Sequence, residues 1–413
     1  MRSAKVPTAI GVALTSIFIF SASAHAAPGD LTYLSQWGTS GTGNGQFAGP
    51  AHVATGPDGS IYVTDSGNDR VQKFNTDGSY SSQWGVQGVA DGEFNRPTGI
   101  AVDLDGFVYV SDTDNDRIQK FDSDGTFILA WGTPGAGPGQ FGQAYGSEID
   151  LDGSLLVTDC DNDVVSRFDT DTGAYLGAVG SPGSGDGQLN CPFDVTVGPD
   201  GSIYVSNTTN YRVEVFSSTG TFVRNFGSSG TGDGQFSYLV GLLVSDAGIV
   251  YTTDYFTGNR VQLFTTDGVF VSQLGSTGTG SGQFQGPGGM DFSADGSELL
   301  VPDFLNNRVQ RFGIEEAVVS TSPSPPTQSD LGSGPAASTP ATLVRVGPWF
   351  AALPAILALA TTVLYVLLDW RRHRQPLVAE NPVVNYTLWH HLRVVTLPIA
   401  HYRLSVVVSR RGR

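Results

Sequence analysis

The chain is 413 residues long, contains 39 acidic and 22 basic residues, and carries a formal net charge of −17. Most of the acid lies in residues 27–342, where 11 basic against 37 acidic residues give 11 − 37 = −26. The electrostatic field of this negative charge repels phosphate backbones, so we expect no nucleic acid partner. Only two cysteines occur in the whole chain, which excludes a disulfide-based scaffold.

The N-terminal segment, residues 1–26, has the pattern of a secretory signal peptide. Arg2 and Lys5 precede the apolar run AIGVALTSIFIF, and the small residues around His25 suit cleavage. An uncleaved anchor is the alternative interpretation. Both interpretations place the following domain outside the cytosol.

A unit of roughly 47 residues then repeats along the chain. The positions that close its G-x-G-[QE]-[FL] element recur at a nearly constant interval, and they are Phe47, Phe94, Phe141, Leu189, Phe236 and Phe284. Each unit holds four short apolar runs, rich in β-branched and aromatic residues and separated by turns such as PDG and LDG. Four antiparallel strands per unit and this period predict an all-β, six-bladed β-propeller over residues 27–314.

The N-terminal strand is predicted to close the ring. DLTYLSQWG at residues 30–38 matches DGSYSSQWG at residues 77–85, which is the fourth strand of the first unit. The sixth unit ends after RVQRFGIEE without a fourth strand of its own. We therefore expect residues 31–37 to pair with residues 308–312, because this pairing hides a sheet edge that would otherwise be open.

The units share the signature V-x-D-x-x-N-x-R-V-x-x-F. Three units carry its polar residues in full: Asp65, Asn68 and Arg70; Asp112, Asn115 and Arg117; Asp303, Asn306 and Arg308. The third unit has Val164 for the arginine, the fourth has Asn207 for the aspartate, and the fifth has one extra residue before Arg260. The signature resembles the NHL repeat over residues 30–314. The resemblance implies a six-bladed propeller. The short Ala-rich signal segment and the absence of a cysteine-rich framework suggest a bacterial protein, and an apolar run near the C-terminus suggests a membrane-anchored surface type.

We interpret the repeated aspartates, and the asparagine that replaces one of them, as structural. A residue that recurs in every blade more often supports turns than reacts, and we expect backbone N–H bonds near the turn between the second and third strands at Asp65, Asp112, Asp159, Asn207, Asp254 and Asp303. Calcium is the alternative at DTDND (residues 112–116) and DCDND (residues 159–163), but the glutamate and glycine of an EF-hand loop are missing. We therefore predict no metal site and no cofactor.

The two cysteines fall in neighbouring units. Cys160 ends the second strand of unit three, and Cys191 precedes the first strand of unit four. A propeller places both positions on one rim, so a disulfide between them is one interpretation in an oxidising compartment. Two separate thiols are the other, because a shared rim does not guarantee the required geometry.

The sequence lacks several of the residues that the enzyme mechanisms known for such propellers would require. The lyase of peptide α-amidation, which is similar to NHL proteins, depends on several histidines around a metal, whereas His52 is the only histidine of this propeller. A Ser-His-Asp arrangement through His52 and a glycosidase-type pair of carboxylates both stay open. An exported lyase or hydrolase of the six-bladed type is therefore the alternative function.

Binding is the function that the architecture favours, because loops that differ between blades lie on a repeating scaffold. The loops that enter each first strand and those between the second and third strands are expected to share one face, with a ligand-binding surface of His52, Asn95, Arg96, Gln143, Tyr145, Phe193, Tyr238, Tyr255, Phe256, Phe304 and Leu305. Aromatic residues with an arginine are typical of surfaces that recognise proteins or carbohydrates. We predict a cell-surface binding or scaffolding module for a protein or glycan.

The C-terminal quarter changes character. Residues 315–345 are rich in Ser, Pro, Thr and Ala and predict an extended stalk. Residues 346–368 run without a charge, which predicts one transmembrane helix. The basic tail at residues 369–413 begins with RRHR shortly after the span and is expected in the cytoplasm. The predicted protein is a single-pass membrane protein with its propeller outside, and sensing through the short tail would extend its role.

Overall fold

The computed structural model describes residues 31–314. Their strands form six four-stranded antiparallel sheets and one short two-stranded pair. The sheets follow each other along the chain as the blades of a ring. The predicted all-β, six-bladed propeller is confirmed.

In each blade, the strand nearest the central channel comes first and the outermost strand comes last. Blade 1 comprises Pro50–Thr55, Ile61–Asp65, Arg70–Phe74 and Tyr80–Trp84. Blade 2 comprises Pro97–Val102, Val108–Asp112, Arg117–Phe121 and Phe127–Trp131. Blade 3 comprises Ala144–Ile149, Leu155–Asp159, Val164–Phe168 and Tyr175–Val179. Blades 4 and 5 comprise Pro192–Val197, Ile203–Asn207, Arg212–Phe216 and Phe222–Phe226; Leu239–Val244, Ile249–Asp254, Arg260–Thr265 and Phe270–Leu274. The 3₁₀ helices are Ser66–Asn68, Thr113–Asn115 and Phe304–Asn306, and Ser228–Ser229 pairs with Gln235–Phe236 between blades 4 and 5.

The sixth blade is built from both ends of the described chain. It comprises Asp291–Phe292, Glu298–Asp303 and Arg308–Ile314, followed by the N-terminal strand β1, Leu31–Trp37. β1 pairs antiparallel with Arg308–Ile314, with Leu31 opposite Ile314 and Trp37 opposite Val309. The predicted closure of the ring by the N-terminal strand is therefore confirmed.

The apolar core lies between neighbouring blades. The residues that close the G-x-G-[QE]-[FL] elements are completely buried there: Phe47, Phe94, Phe141, Leu189, Phe236 and Phe284. One core cluster, for example, joins Val71 of blade 1 to Phe94 and Val110 of blade 2. Each blade thus buries its apolar face only against a neighbour, which makes ring closure a condition for a complete core.

The repeated polar residues hold the segment that enters each blade. In blade 1, Asp65 accepts a hydrogen bond of 2.7 Å from the N–H of Ala48 and others from Asn68, Arg70 and Gln72. The carboxylate is completely buried, and the hydrogen bonds from these donors offset its desolvation. The aspartates therefore do accept backbone N–H bonds. In blade 1 the donor lies before the first strand, and in blade 3 the N–H of Asn162, in the turn between the second and third strands, donates to Asp159 at 3.3 Å.

Blade 4 has an equivalent network in which the buried carboxylate belongs to a different residue. Asn207 replaces the aspartate, and Glu214 occupies the position of Gln72, Gln119 and Gln310 in other blades. Arg212 donates to Glu214 at 2.5 Å, and Asn207 donates to the same oxygen at 3.4 Å. Both Asn207 and Glu214 are completely buried. One carboxylate and one arginine are thus retained, although the carboxylate comes from a different strand.

The other predicted segments lie outside the described residues. These are the signal peptide at residues 1–26, the stalk at residues 315–345, the span at residues 346–368 and the tail at residues 369–413. Within residues 31–314, the structure has no helix that is long and apolar enough to cross a membrane.

Candidate functional site: a divided central channel

One repeat position on the first strands sets the geometry of the central channel. It lies at the same short distance after each G-x-G-[QE]-[FL] element and is occupied by glycine in four blades, namely Gly99, Gly146, Gly241 and Gly289. The other two blades have His52 and Asp194 there, in blades 1 and 4. These blades are three apart in a ring of six, so their side chains face each other across the channel.

His52 and Asp194 meet, and we call them the cross-channel pair. Their closest atoms, Nε2 of His52 and Oδ1 of Asp194, are 3.5 Å apart. The glycines make this approach feasible, since a Cβ on Gly289 would lie 1.8 Å from the His52 ring and one on Gly146 would lie 2.3 Å from Asp194. A larger residue at either glycine would displace the pair.

Both ring nitrogens of His52 have a fixed environment. Nδ1 lies 3.1 Å from the carbonyl oxygen of Val53, which makes it the N–H donor of the ring, and Nε2 faces Asp194. Asp194 accepts backbone hydrogen bonds from Val195 at 3.0 Å and from Leu242 at 2.9 Å, and these hold the carboxylate in place. Burial opposes the charged imidazolium, but the carboxylates of Asp194 and Asp291 outweigh it and raise the pKa of His52.

One side of the pair opens into an acidic cavity of about 210 Å³, lined by both members of the pair together with Glu148 and Asp291. Burial raises the pKa of Asp291 to about 6, although the N–H groups of Thr55 and Phe292 donate to it at 2.7 Å. Burial, with the negative charges of Asp291 and Asp194, raises the pKa of Glu148 well above its usual value. The acidic cavity therefore holds two carboxyl groups, Asp291 and Glu148, whose pKa values lie above their usual range.

The other side of the pair opens into a second cavity of about 250 Å³, which we call the aromatic cavity. Eight of the predicted face residues line it, and they are His52, Arg96, Tyr145, Phe193, Tyr238, Tyr255, Phe256 and Phe304. Asp194, which the sequence analysis did not single out, forms part of its lining as well. The cavity is therefore apolar around its wall and carries the cross-channel pair at its base.

The aromatic side chains form a continuous arc over blades 3 to 6. Tyr145 stacks on Phe193 with ring centroids 4.3 Å apart, and Phe193 contacts Tyr238 edge to face at 6.2 Å. Tyr238 and Tyr255 both contact Phe256 edge to face at 4.9 Å. Phe256 is 61 % exposed, so this ring contributes little to the core. Tyr255 then reaches Phe304 at 6.2 Å and completes the arc.

Arg96 lies on the rim next to the blade 3 end of the arc. Its guanidinium forms an ion pair with Asp114 at 2.6 Å and lies 5.6 Å from the centre of the Tyr145 ring. Its backbone adopts φ +53°, a region that disfavours side chains, and its N–H donates to Asp69. The corresponding residues in blades 1 and 6 are Gly49 and Gly286. Arg96 is thus a non-repeating residue held in a strained conformation at the cavity.

The remaining predicted residues lie next to the cavity or apart from it. Asn95 and Gln143 do not line it: the Gln143 side chain accepts a hydrogen bond from the hydroxyl of Tyr145 at 2.9 Å, and the carbonyl of Asn95 accepts one from the N–H of Asp114.

The carboxylates of DTDND do not converge on one point, since Asp112 forms an ion pair with Arg117 and Asp114 forms one with Arg96. Among residues 31–314, no group of three or more potential ligands is arranged to hold a metal ion.

Sequence reasoning missed three channel acids, Asp194, Glu148 and Asp291. The available signal was a comparison of equivalent first-strand positions. Asp194 shares its position with four glycines and His52, and Glu148 and Asp291 share theirs with uncharged residues such as Ala54 and Ala101. A charged residue at a position that is uncharged in most other blades indicates a local role and not a role in the scaffold.

Cys160 and Cys191 are joined by a disulfide, one of the two interpretations left open by the sequence. The bond links blades 3 and 4 on the rim that carries the aromatic cavity, and Phe193 lies close behind Cys191 in the chain. In residues 31–314 there is no free cysteine.

Reducing this disulfide should destabilise the propeller by about 3 to 4 kcal/mol, because the two cysteines are 31 residues apart and the bond restricts the unfolded chain. Thermal unfolding with and without a thiol reductant measures the effect. A variant with Cys160→Ser and Cys191→Ser should unfold at the lower temperature in both conditions. An unchanged unfolding temperature of the native protein after complete reduction would contradict the prediction.

Comparison with known proteins agrees with this architecture. Residues 47–74 and 94–121 match the NHL repeat. The chain contains NHL repeats. The two matched segments each run from the end of a G-x-G-[QE]-[FL] element to the end of the third strand, so they include the aspartate network described above. No match was found among curated protein sequences.

Several solved structures resemble the NHL propeller. A protein of unknown function from Bacteroides thetaiotaomicron has a TM-score of 0.54 at 16% identity, covering 70% of this chain and 77% of its own. A streptogramin B lyase has a TM-score of 0.50 at 17% identity, covering 69% and 98%. A gluconolactonase from Xanthomonas campestris has a TM-score of 0.50 at 15% identity, covering 71% and 99%. At these identities the likeness shows the propeller fold alone.

The channel combines an apolar wall with a few polar groups at the base of the aromatic cavity. Nδ1 of His52 lies against the carbonyl oxygen of Val53, and the buried Nε2 lies 3.5 Å from Asp194 without a hydrogen bond to any described residue. Among the described residues, no serine hydroxyl forms a hydrogen bond with His52. An apolar cavity with a few fixed polar groups at its base is the usual form of a ligand site.

Proposed function

We propose that this protein is a membrane-tethered binding module on the extracytoplasmic side of the cell, and that its aromatic cavity receives a protruding group of a protein or glycan partner. The observation that carries the proposal is the arc from Tyr145 to Phe304 around one cavity of about 250 Å³. Clustered aromatic side chains provide most of the binding energy at many recognition surfaces.

Two further features support this proposal. The cavity is built from residues that differ between blades, whereas the buried networks repeat, which is the expected division between a ligand site and a scaffold. The Cys160–Cys191 disulfide is compatible with an oxidising compartment and thus with export. The predicted signal peptide and span would place the cavity at the cell surface.

Replacing both Tyr255 and Phe256 with alanine should abolish partner binding and change stability little. The two rings lie at the mouth of the cavity, and Phe256 is 61 % exposed, so we expect a loss of less than about 2 kcal/mol for the pair. Tagged full-length protein, recovered after crosslinking from the native envelope, is compared with this double variant. Thermal unfolding of both proteins shows that each is folded.

The matched control is Tyr175→Ala, an aromatic residue on the outer strand of blade 3 that is 37 % exposed and lies away from the cavity. The control variant should capture the same partner as the native protein. Capture that survives the double variant, or that the control abolishes equally, would show that the cavity is not the recognition site.

A further inference from the structure

The geometry and charge of the aromatic cavity point to one ligand class: we propose that it binds a quaternary ammonium group. This inference rests on the proposed binding function and names the chemical group that the cavity receives. It follows from the aromatic wall, from the charge around the cavity and from the hydrogen bonds that Asp194 at its base already accepts.

The wall supplies the contacts that such a cation requires. A quaternary ammonium ion is attracted to the faces of aromatic rings, and several rings around one cation are the usual recognition device. The rings here come from three consecutive blades, from Phe193 in blade 4 to Phe304 in blade 6, while the Tyr145 ring of blade 3 already stacks on Phe193 and lies 5.6 Å from the Arg96 guanidinium. Burial raises the pKa of Tyr238 and Tyr255, so both stay neutral phenols near pH 7.

The charges around the cavity favour a cation over an anion. Arg96, the arginine of its lining, is already paired with Asp114, and His52 lies beside the carboxylate of Asp194. Beyond the cross-channel pair, Asp291 and Glu148 line the acidic cavity. Residues 31–314 contain 11 basic and 33 acidic residues, which gives 11 − 33 = −22. An anion would therefore approach a negative field with no free positive partner.

The hydrogen bonds at the base separate a quaternary from a primary ammonium ion. A primary ammonium carries three N–H donors that must find acceptors when buried. Asp194, the carboxylate at the base, already accepts from Val195 and Leu242 and faces His52. A fully methylated nitrogen has no donor to satisfy, so the cavity accommodates it without breaking these bonds.

The test uses three probes of related shape with the full-length protein, purified in a maltoside detergent that carries no ammonium group. Choline is the quaternary cation, 3,3-dimethylbutan-1-ol is its uncharged isostere, and ethanolamine is the primary ammonium analogue. Isothermal titration should give choline an affinity at least about tenfold above that of either analogue, because the uncharged isostere forms no cation–π contact and the primary ammonium loses the hydration of its three N–H donors. The variant with Tyr255→Ala and Phe256→Ala should lose choline binding, and Tyr175→Ala should retain it.

Each other outcome overturns the inference. Equal binding of the uncharged isostere would show that the cavity recognises shape alone, and tighter binding of ethanolamine would show that it selects a primary amine. Choline binding that the double variant retains would place the cation elsewhere. If choline does not bind, while partner capture still depends on Tyr255 and Phe256, the ligand class is wrong and the proposed function stands. If capture is also independent of these residues, both proposals fail.

Discussion

The variant Asn207→Asp should be destabilised by about 3 to 5 kcal/mol, and adding Glu214→Gln should restore most of that loss. Asn207→Asp alone places a second buried carboxylate beside Glu214, with Arg212 as the one cation of both. Glu214→Gln alone removes the partner of Arg212 and should also destabilise. The double variant recreates the arrangement of blade 1, where Asp65 binds Arg70 and Gln72.

Chemical denaturation of the native protein, the two single variants and the double variant measures the coupling. The cost of Asn207→Asp should also depend on pH. Burial already raises the pKa of Glu214, and a second acid there would have its folded-state pKa raised as well. Such an acid costs little when both folded and unfolded states are protonated, so the penalty should shrink as the pH falls from about 8 to about 4. Additive effects of the two changes would contradict a shared network.

Deleting the N-terminal strand, residues 31–37, should leave the propeller unfolded or aggregated at room temperature. The deletion removes the pairing with Arg308–Ile314, the hydrogen bond of 2.7 Å from Arg308 to Gln36, and the packing of Trp37 on Phe74. We expect a loss above about 5 kcal/mol, which is comparable with the whole stability of many domains. Circular dichroism and size-exclusion chromatography report the outcome.

A synthetic peptide with the sequence of residues 30–38 should partly rescue the truncated protein, because it supplies the missing fourth strand to an open sheet edge. A peptide of the same composition in scrambled order is the control. The closure would not be needed for stability if the truncated protein stayed monomeric with an unchanged unfolding temperature.

Much of the fold is readable from the sequence, because each blade repeats the same local choices. The spacing of Phe47 and its equivalents indicates the period, and the residues are buried between blades as that period requires. The match between residues 30–38 and 77–85 predicts the closing strand, since a fourth strand is missing only from the last unit. The aromatic wall is also predictable, because loop residues that vary in a regular repeat stand out.

The base of the cavity is not predictable in this way. His52 and Asp194 are far apart in sequence, and their contact depends on the side chains reaching across the channel axis past glycine positions such as Gly146 and Gly289. The relocation of the buried carboxylate in blade 4, from the position of Asn207 to Glu214, is also hidden. Motif matching scores each position separately, whereas the buried network depends on the total charge of both positions.

The cross-channel pair also ties the site to the number of blades. His52 and Asp194 occupy the same repeat position three blades apart, so they are opposite each other only while the ring closes with six. Gain or loss of one whole repeat unit would leave each residue at the same position within its own blade, but the two blades would no longer lie opposite each other. The channel would then run undivided from face to face, so the cavity can diversify by loop changes far more readily than by a change in ring size.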